Sequence, residues 1–82
     1  MNRYLVSYDL MSPGRDYSTL YVVLERLGAT RVLYSQWVLR TSMSAAQLLD
    51  HLKKYIDTND RLLVNDFSDW ASYNIMRSLK AA

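Results

Sequence analysis

Asp9 closes an alternating apolar run, Tyr4-Leu5-Val6-Ser7-Tyr8, and stands at the mouth of a loop, Leu10-Met11-Ser12-Pro13-Gly14-Arg15-Asp16. A carboxylate at a strand end needs a partner or a task, because strands rarely carry unpaired charge and rigid scaffolds place chemistry on the loops that follow them. Its oxygens suit a hard cation such as magnesium. The competing role is structural, with the carboxylate accepting hydrogen bonds from the backbone N–H groups of residues 11 to 15.

The other polar residues offer less. Asp16 reads as a charge favoured by the dipole at a helix N-terminus, and Arg26 as a solvated helix residue. His51 is the only histidine and has no second ligand in motif spacing, so a surface position fits it best. Pro13-Gly14 is a turn signal and not a phosphate-cradling loop. Tyr8, Tyr34 and Trp37 have the faces to stack on bases, but aromatic residues in strands more often build a core or an interface.

The 82 residues, half of them hydrophobic, make a single domain, 1–82, with a core over about 3–67 and a tail over 68–82. So short a chain buries a limited core, and with no cysteine to form a disulfide or a thiolate metal site, self-association is the expected supplement. The lack of cysteine also fits a reducing cytoplasm. No apolar run is long enough to span a bilayer and no signal-peptide pattern opens the chain, so the expectation is a soluble cytoplasmic protein with no membrane partner. The net charge of +2 permits nucleic-acid binding without demanding it. Arg3, Arg15, Arg26, Arg31 and Arg40 nevertheless make the first half net positive.

The elements that must position these residues follow from periodicity. Residues 3 to 10 alternate with period two, placing Tyr4, Val6 and Tyr8 on one strand face and Leu5, Ser7 and Asp9 on the other. Tyr17, Leu20, Tyr21, Leu24 and Leu27 recur at helical spacing from about Asp16 to Leu27, where Gly28 supplies a left-handed stop. Residues 30 to 40 read as two strands divided at Ser35-Gln36. Ser44 and Gln47 form a capping box for a helix from about Ala45 to Tyr55, followed by a polar Asp57-Thr58-Asn59-Asp60 loop and a strand over 61–67. Ser68-Asp69 can cap a helical tail carrying Ala71, Ile75, Met76 and Leu79, fraying at Lys80-Ala81-Ala82.

This order predicts an α+β fold, a ferredoxin-like βαββαβ sandwich with a C-terminal helical tail. Right-handed crossovers put both helices on one sheet face and leave the other bare. A bare apolar face predicts a homodimer, and a two-fold axis through it would bring Asp9 near the partner copy's Asp9.

Tyr8-Asp9 ending the first strand, Gly28 before Arg31-Val32-Leu33-Tyr34-Ser35, the aromatic Trp37, and Asp57 to Asp60 leading into Arg61-Leu62-Leu63-Val64 together resemble the second CRISPR-associated protein (Cas-two) family. The resemblance spans about residues 3 to 66, and the chain is similar also to VapD-like toxin ribonucleases. It implies a ferredoxin-like, cytoplasmic homodimer that binds RNA or DNA, with metal-dependent endonuclease activity and a structural role beside a CRISPR integrase where one is encoded alongside. Asp9 matches the family's metal-binding aspartate, and Arg31 and Ser35 match polar positions around the second strand. Arg15 falls in the basic loop region, and Trp37 stands where the family usually has Phe. Two departures are evident: Val38 replaces a frequent acidic residue, and Asn65-Asp66-Phe67 with its tail replaces a short terminal strand.

On this reading Asp9 is catalytic and holds magnesium, with manganese as a substitute, and pairing across the dimer axis supplies a second carboxylate. Ser35 is the other catalytic candidate, positioning a water or the phosphate. Arg15 and Arg31 are the nucleic-acid-binding residues that contact phosphates. The alternative is a non-catalytic dimeric adaptor or structural protein related to CRISPR adaptation, in which Asp9 serves only its loop. A toxin-type ribonuclease is the third reading.

Overall fold

The computed structural model describes residues 1–12 and 14–77. Its elements run β1 (Asn2–Asp9), α1 (Ser18–Arg26), β2 (Thr30–Leu33), β3 (Gln36–Thr41), α2 (Ala45–Lys53) and β4 (Arg61–Asp66). The result is a small α+β structure with one four-stranded antiparallel sheet in the order β2-β3-β1-β4. Each helix joins two strands that are separated in the sheet by a third, so β1 and β3 are central and β2 and β4 are edges.

Alternation along β1 decides which face is which. Tyr4, Val6 and Tyr8 are buried and join Trp37 and Leu39 of β3 in a core closed by Leu20 and Leu24 of α1 and Leu48 and Leu52 of α2. The helical residues recur four apart, which sets each pair on one stripe above the sheet. Gly28 ends the α1 region with φ of 83°, a left-handed conformation that a side chain would strain. At α2 the capping box forms as the sequence predicts: Gln47 N–H donates to Ser44 Oγ at 3.1 Å and Ser44 N–H to Gln47 Oε1 at 2.8 Å. The division between β2 and β3 falls at Tyr34-Ser35, one residue before the expected Ser35-Gln36, so that Gln36 opens β3.

Two expectations are corrected. The described part of the tail, residues 67–77, contains no helix, and Leu79 and Lys80-Ala81-Ala82 lie outside the described residues. Nor is the second sheet face bare. The tail crosses it as an irregular strap, in which Phe67 N–H donates to the Arg3 carbonyl at 3.1 Å and Met76 N–H to the Val32 carbonyl at 2.7 Å. Phe67 and Ile75 pack against Leu5, Val32 and Val38, and Trp70 lies over the Arg3 guanidinium, 4.8 Å from its ring centroid. The physical reason is burial. A ten-residue helix with Ser72, Tyr73 and Asn74 at its centre is marginal in water, whereas the irregular strap lays Phe67 and Ile75 on apolar sheet surface that would otherwise face solvent.

Candidate functional site

The strap covers only part of its face. The uncovered part lies toward the end of β1, where Ser7, Asp9, Ser35, Gln36, Arg61 and Leu63 line an open cavity of about 310 Å³. Strand register accounts for the grouping: Asp9 pairs with Arg61, and Ser7 lies between Leu63 of β4 and Gln36 of β3. Gln36 Nε2 donates to Ser7 Oγ at 3.0 Å, which fixes the floor. Ser35 is brought to the rim because its carbonyl accepts the Tyr8 N–H at 3.2 Å.

Asp9 and Ser35, the two catalytic candidates, thus share one cavity. The Asp9 carboxylate is 64 % exposed and its charged neighbour is Arg61, whose Nη1 is 3.7 Å from Oδ2. So loose and solvated a pair contributes little to stability.

The loop-holding role belongs to a different residue, Asp60. Its Oδ1 accepts the Met11 N–H at 2.7 Å and the Tyr17 hydroxyl at 2.9 Å, and its Oδ2 accepts the Asp57 N–H at 2.7 Å. One carboxylate therefore ties the β1–α1 loop to the turn before β4. Ser12 Oγ reinforces the tie by donating to Asn59 Oδ1 at 3.3 Å. Asp60 was legible only as one letter of a polar loop; the available signal was the antiparallel pairing of β1 with β4, which sets the residues just after Asp9 against those just before Arg61.

Neither arginine named as a phosphate contact lines this cavity. Arg15 is ion-paired to Asp57 and stacks on the Tyr17 ring at 5.4 Å, as part of the same loop-to-loop tie. Arg31 projects toward the helices. Its Nε and Nη2 donate to the Tyr34 carbonyl at 2.9 and 2.6 Å, and its guanidinium lies 4.9 Å from the ring centroid of Tyr21 and 5.5 Å from that of Trp37. Trp37 Nε1 donates to the Tyr8 hydroxyl at 3.0 Å, and Arg31 Nη2 reaches the same oxygen at 3.4 Å. Burial pushes the Tyr8 pKa above its ordinary value, against smaller opposing effects of the Trp37 hydrogen bond and the Arg31 charge. Tyr8 and Trp37 are therefore core here, tied to Arg31 by a polar network, whereas Tyr34 stands exposed with the Arg31 guanidinium 5.0 Å from its ring centroid.

Asp16 behaves as a helix-start residue: its Oδ1 accepts the Ser18 N–H at 2.9 Å, and that hydrogen bond holds its carboxyl below the usual pKa. His51 lies on α2 in edge-on contact with Tyr55, 6.0 Å between centroids.

The donor set at Asp9 can be weighed against a divalent ion. One copy offers a single carboxylate and neighbouring hydroxyls, with the Arg61 cation beside them, and among the described residues no three His, Cys, Asp or Glu side chains cluster. That set does not fit magnesium in one copy alone, since a stable site uses more than one anionic oxygen ligand or a substrate phosphate. Among the described residues no helix is long and apolar enough to cross a membrane. No protein-family model matches the chain, and no solved structure matches it.

Proposed function

We propose that this chain is a ferredoxin-like, cytoplasmic protein of the Cas-two type that binds RNA or DNA as a homodimer, with its functional centre at Asp9. The strand order supports the fold reading, because two interleaved βαβ units place their strands in this sequence across an antiparallel sheet. The observation that carries the functional reading is the freedom of Asp9. With Asp60 holding the loop, the exposed carboxylate at the end of β1 has no structural duty that would account for it.

Two copies meeting over the uncovered part of the sheet face would bring two Asp9 carboxylates together, with Ser35 of each at the rim. Magnesium, or manganese in its place, would then supply Lewis-acid polarisation of a phosphoryl oxygen for phosphodiester hydrolysis. Asp9 serves as metal ligand in this scheme, and Ser35 positions water or phosphate.

The test is cleavage of labelled RNA and DNA panels in magnesium or manganese against chelator, with Asp9→Ala in parallel. Metal-dependent cutting by the parent and none by the variant is expected, and the substrate cut separates a general endonuclease from a toxin-type ribonuclease. A variant as active as the parent overturns the site.

One observation favours a second reading, a non-catalytic dimeric adaptor. A single copy contributes only one carboxylate, so a dimer that does not pair its Asp9 residues has no cation site at this position. Absence of cutting by the parent under every metal condition, with binding retained, supports that reading.

A further inference from the structure

The described part of the strap reaches a second cation-bearing cavity. This cavity, of about 640 Å³, lies between α1, the β2–β3 edge and strap residues Met76 and Arg77, and its lining includes Tyr21, Glu25, Thr30, Arg31 and Trp37. Arg31 comes from the sheet with its guanidinium already oriented by the Tyr34 carbonyl and by the faces of Tyr21 and Trp37. Arg77 comes from the strap, immediately after the Met76 N–H that latches onto Val32. Strap closure therefore adds Arg77 to the lining of the cavity that already holds the Arg31 guanidinium.

The charge balance of the cavity is uneven. Glu25 is the carboxylate in its lining, and among the described residues neither arginine has a carboxylate within the 4.0 Å of an ion pair. Two arginines against one glutamate give the lining a net positive charge, which disfavours closure when no anion is present. A multiply charged oxyanion reverses that sign, since guanidinium groups bind phosphate through paired, charge-assisted hydrogen bonds, and a pre-oriented group loses little freedom in doing so. The latch itself is light: a single backbone hydrogen bond and the Ile75 contact, preceded by Asn74 in a left-handed conformation at φ of 54° and Tyr73 at 88 % exposure.

We propose that a phosphate group, free or within a nucleic-acid backbone, binds between Arg31 and Arg77 and locks the strap over the sheet. This site is separate from Asp9 and stands whether or not Asp9 supports cleavage.

Hydrogen exchange at the Met76 amide, the latch itself, is the readout. A ligand that binds only the closed strap and is present at about ten times its Kd lowers the open fraction about tenfold, so exchange slows by about that factor. Titration with inorganic phosphate is compared with sodium chloride at matched ionic strength, because screening alone weakens repulsion between cations. The expected result is slowed exchange in phosphate, no comparable change in chloride, loss of the effect in Arg77→Gln, and its retention in Asp9→Ala. A short oligonucleotide lacking terminal phosphates forms the parallel arm: protection by it supports backbone phosphate as the source, and protection by inorganic phosphate alone supports the free anion. Equal slowing in chloride, an unchanged phosphate effect in Arg77→Gln, or no protection in either arm overturns the proposal.

Discussion

The indole N–H of Trp37 donates to the hydroxyl of Tyr8 at 3.0 Å inside the core, and that hydroxyl also lies 3.4 Å from the Tyr34 carbonyl, to which it donates. Tyr8 is thus the joint between β1 and the β2–β3 turn, one residue before Asp9 and near Ser35. Removing the hydroxyl leaves a buried indole donor without its acceptor, which costs about 1–3 kcal/mol. Tyr8→Phe should lower stability in chemical denaturation by that order while leaving the far-ultraviolet spectrum unchanged.

The same residue gives a pH dependence with a definite sign. The charged form of tyrosine is the phenolate, and burial raises the folded pKa above the ordinary 10.0. Between that value and the folded one, the unfolded chain has released its proton and the folded chain has kept it. The unfolded state then binds fewer protons, so stability falls with rising pH. The contribution is complete below pH 10.0 and is lost progressively above it. Parent and Tyr8→Phe unfolding curves should converge in the alkaline range; parallel curves would show that Tyr8 titrates alike in both states.

Asp60 and Asp9 should separate cleanly under mutation. Asp60→Ala removes the acceptor for two backbone N–H groups and the Tyr17 hydroxyl. It should cost about 1–3 kcal/mol and render residues 10 to 16 susceptible to limited proteolysis. Asp60→Asn keeps an acceptor oxygen and should lose less. Asp9→Ala breaks only an exposed 3.7 Å pair with Arg61 and should change stability by no more than about 0.5 kcal/mol. A large destabilisation by Asp9→Ala would return the loop-holding role to that residue.

The contrast between these two aspartates shows what the sequence could reveal. Period-two alternation placed Tyr4, Val6 and Tyr8 on the core face, and the capping box located the start of α2, because both signals are local and each is reinforced by burial. The site was legible only in part. Asp9 and Ser35 meet because β1 runs beside the β2–β3 turn, but Asp60 and Arg61 reach their partners through β1–β4 register across some fifty residues, which no local pattern encodes. The tail departs from its local pattern for a related reason. Ser68-Asp69 and the spacing of Ala71 and Ile75 are sound local helix signals, yet the apolar surface around Leu5, Val32 and Val38 draws Phe67 and Ile75 into a non-helical path.

Core truncation should be far more costly than the loss of Asp9. Leu20 has no exposed surface and sits between α1 and the sheet. Leu20→Ala should cost about 2–5 kcal/mol, the usual penalty for a cavity at a fully buried leucine. In so small a chain that is a large share of total stability, and thermal unfolding should show a correspondingly lowered midpoint. An unchanged midpoint would mean that the helix layer is not packed as described.

Leu63 separates the dimer proposal from the fold itself. Its side chain stands 59 % exposed in the uncovered part of the sheet face, beside Ser7 and in the same cavity as Asp9. In a monomer, an aspartate at this position meets water and should alter stability by no more than about 0.5 kcal/mol. In a two-fold contact over that surface, each copy would place a new carboxylate near the partner copy's Asp9, where like charges repel and an unpaired charge loses its hydration. Leu63→Asp should therefore reduce the mass measured by light scattering from dimer to monomer while leaving the thermal midpoint, measured at monomer concentrations, unchanged. Adding Asp9→Asn to Leu63→Asp should restore part of the association, because it removes one charge of each repelling pair. Dimerisation undisturbed by Leu63→Asp would move the interface away from this surface and leave the two Asp9 carboxylates apart.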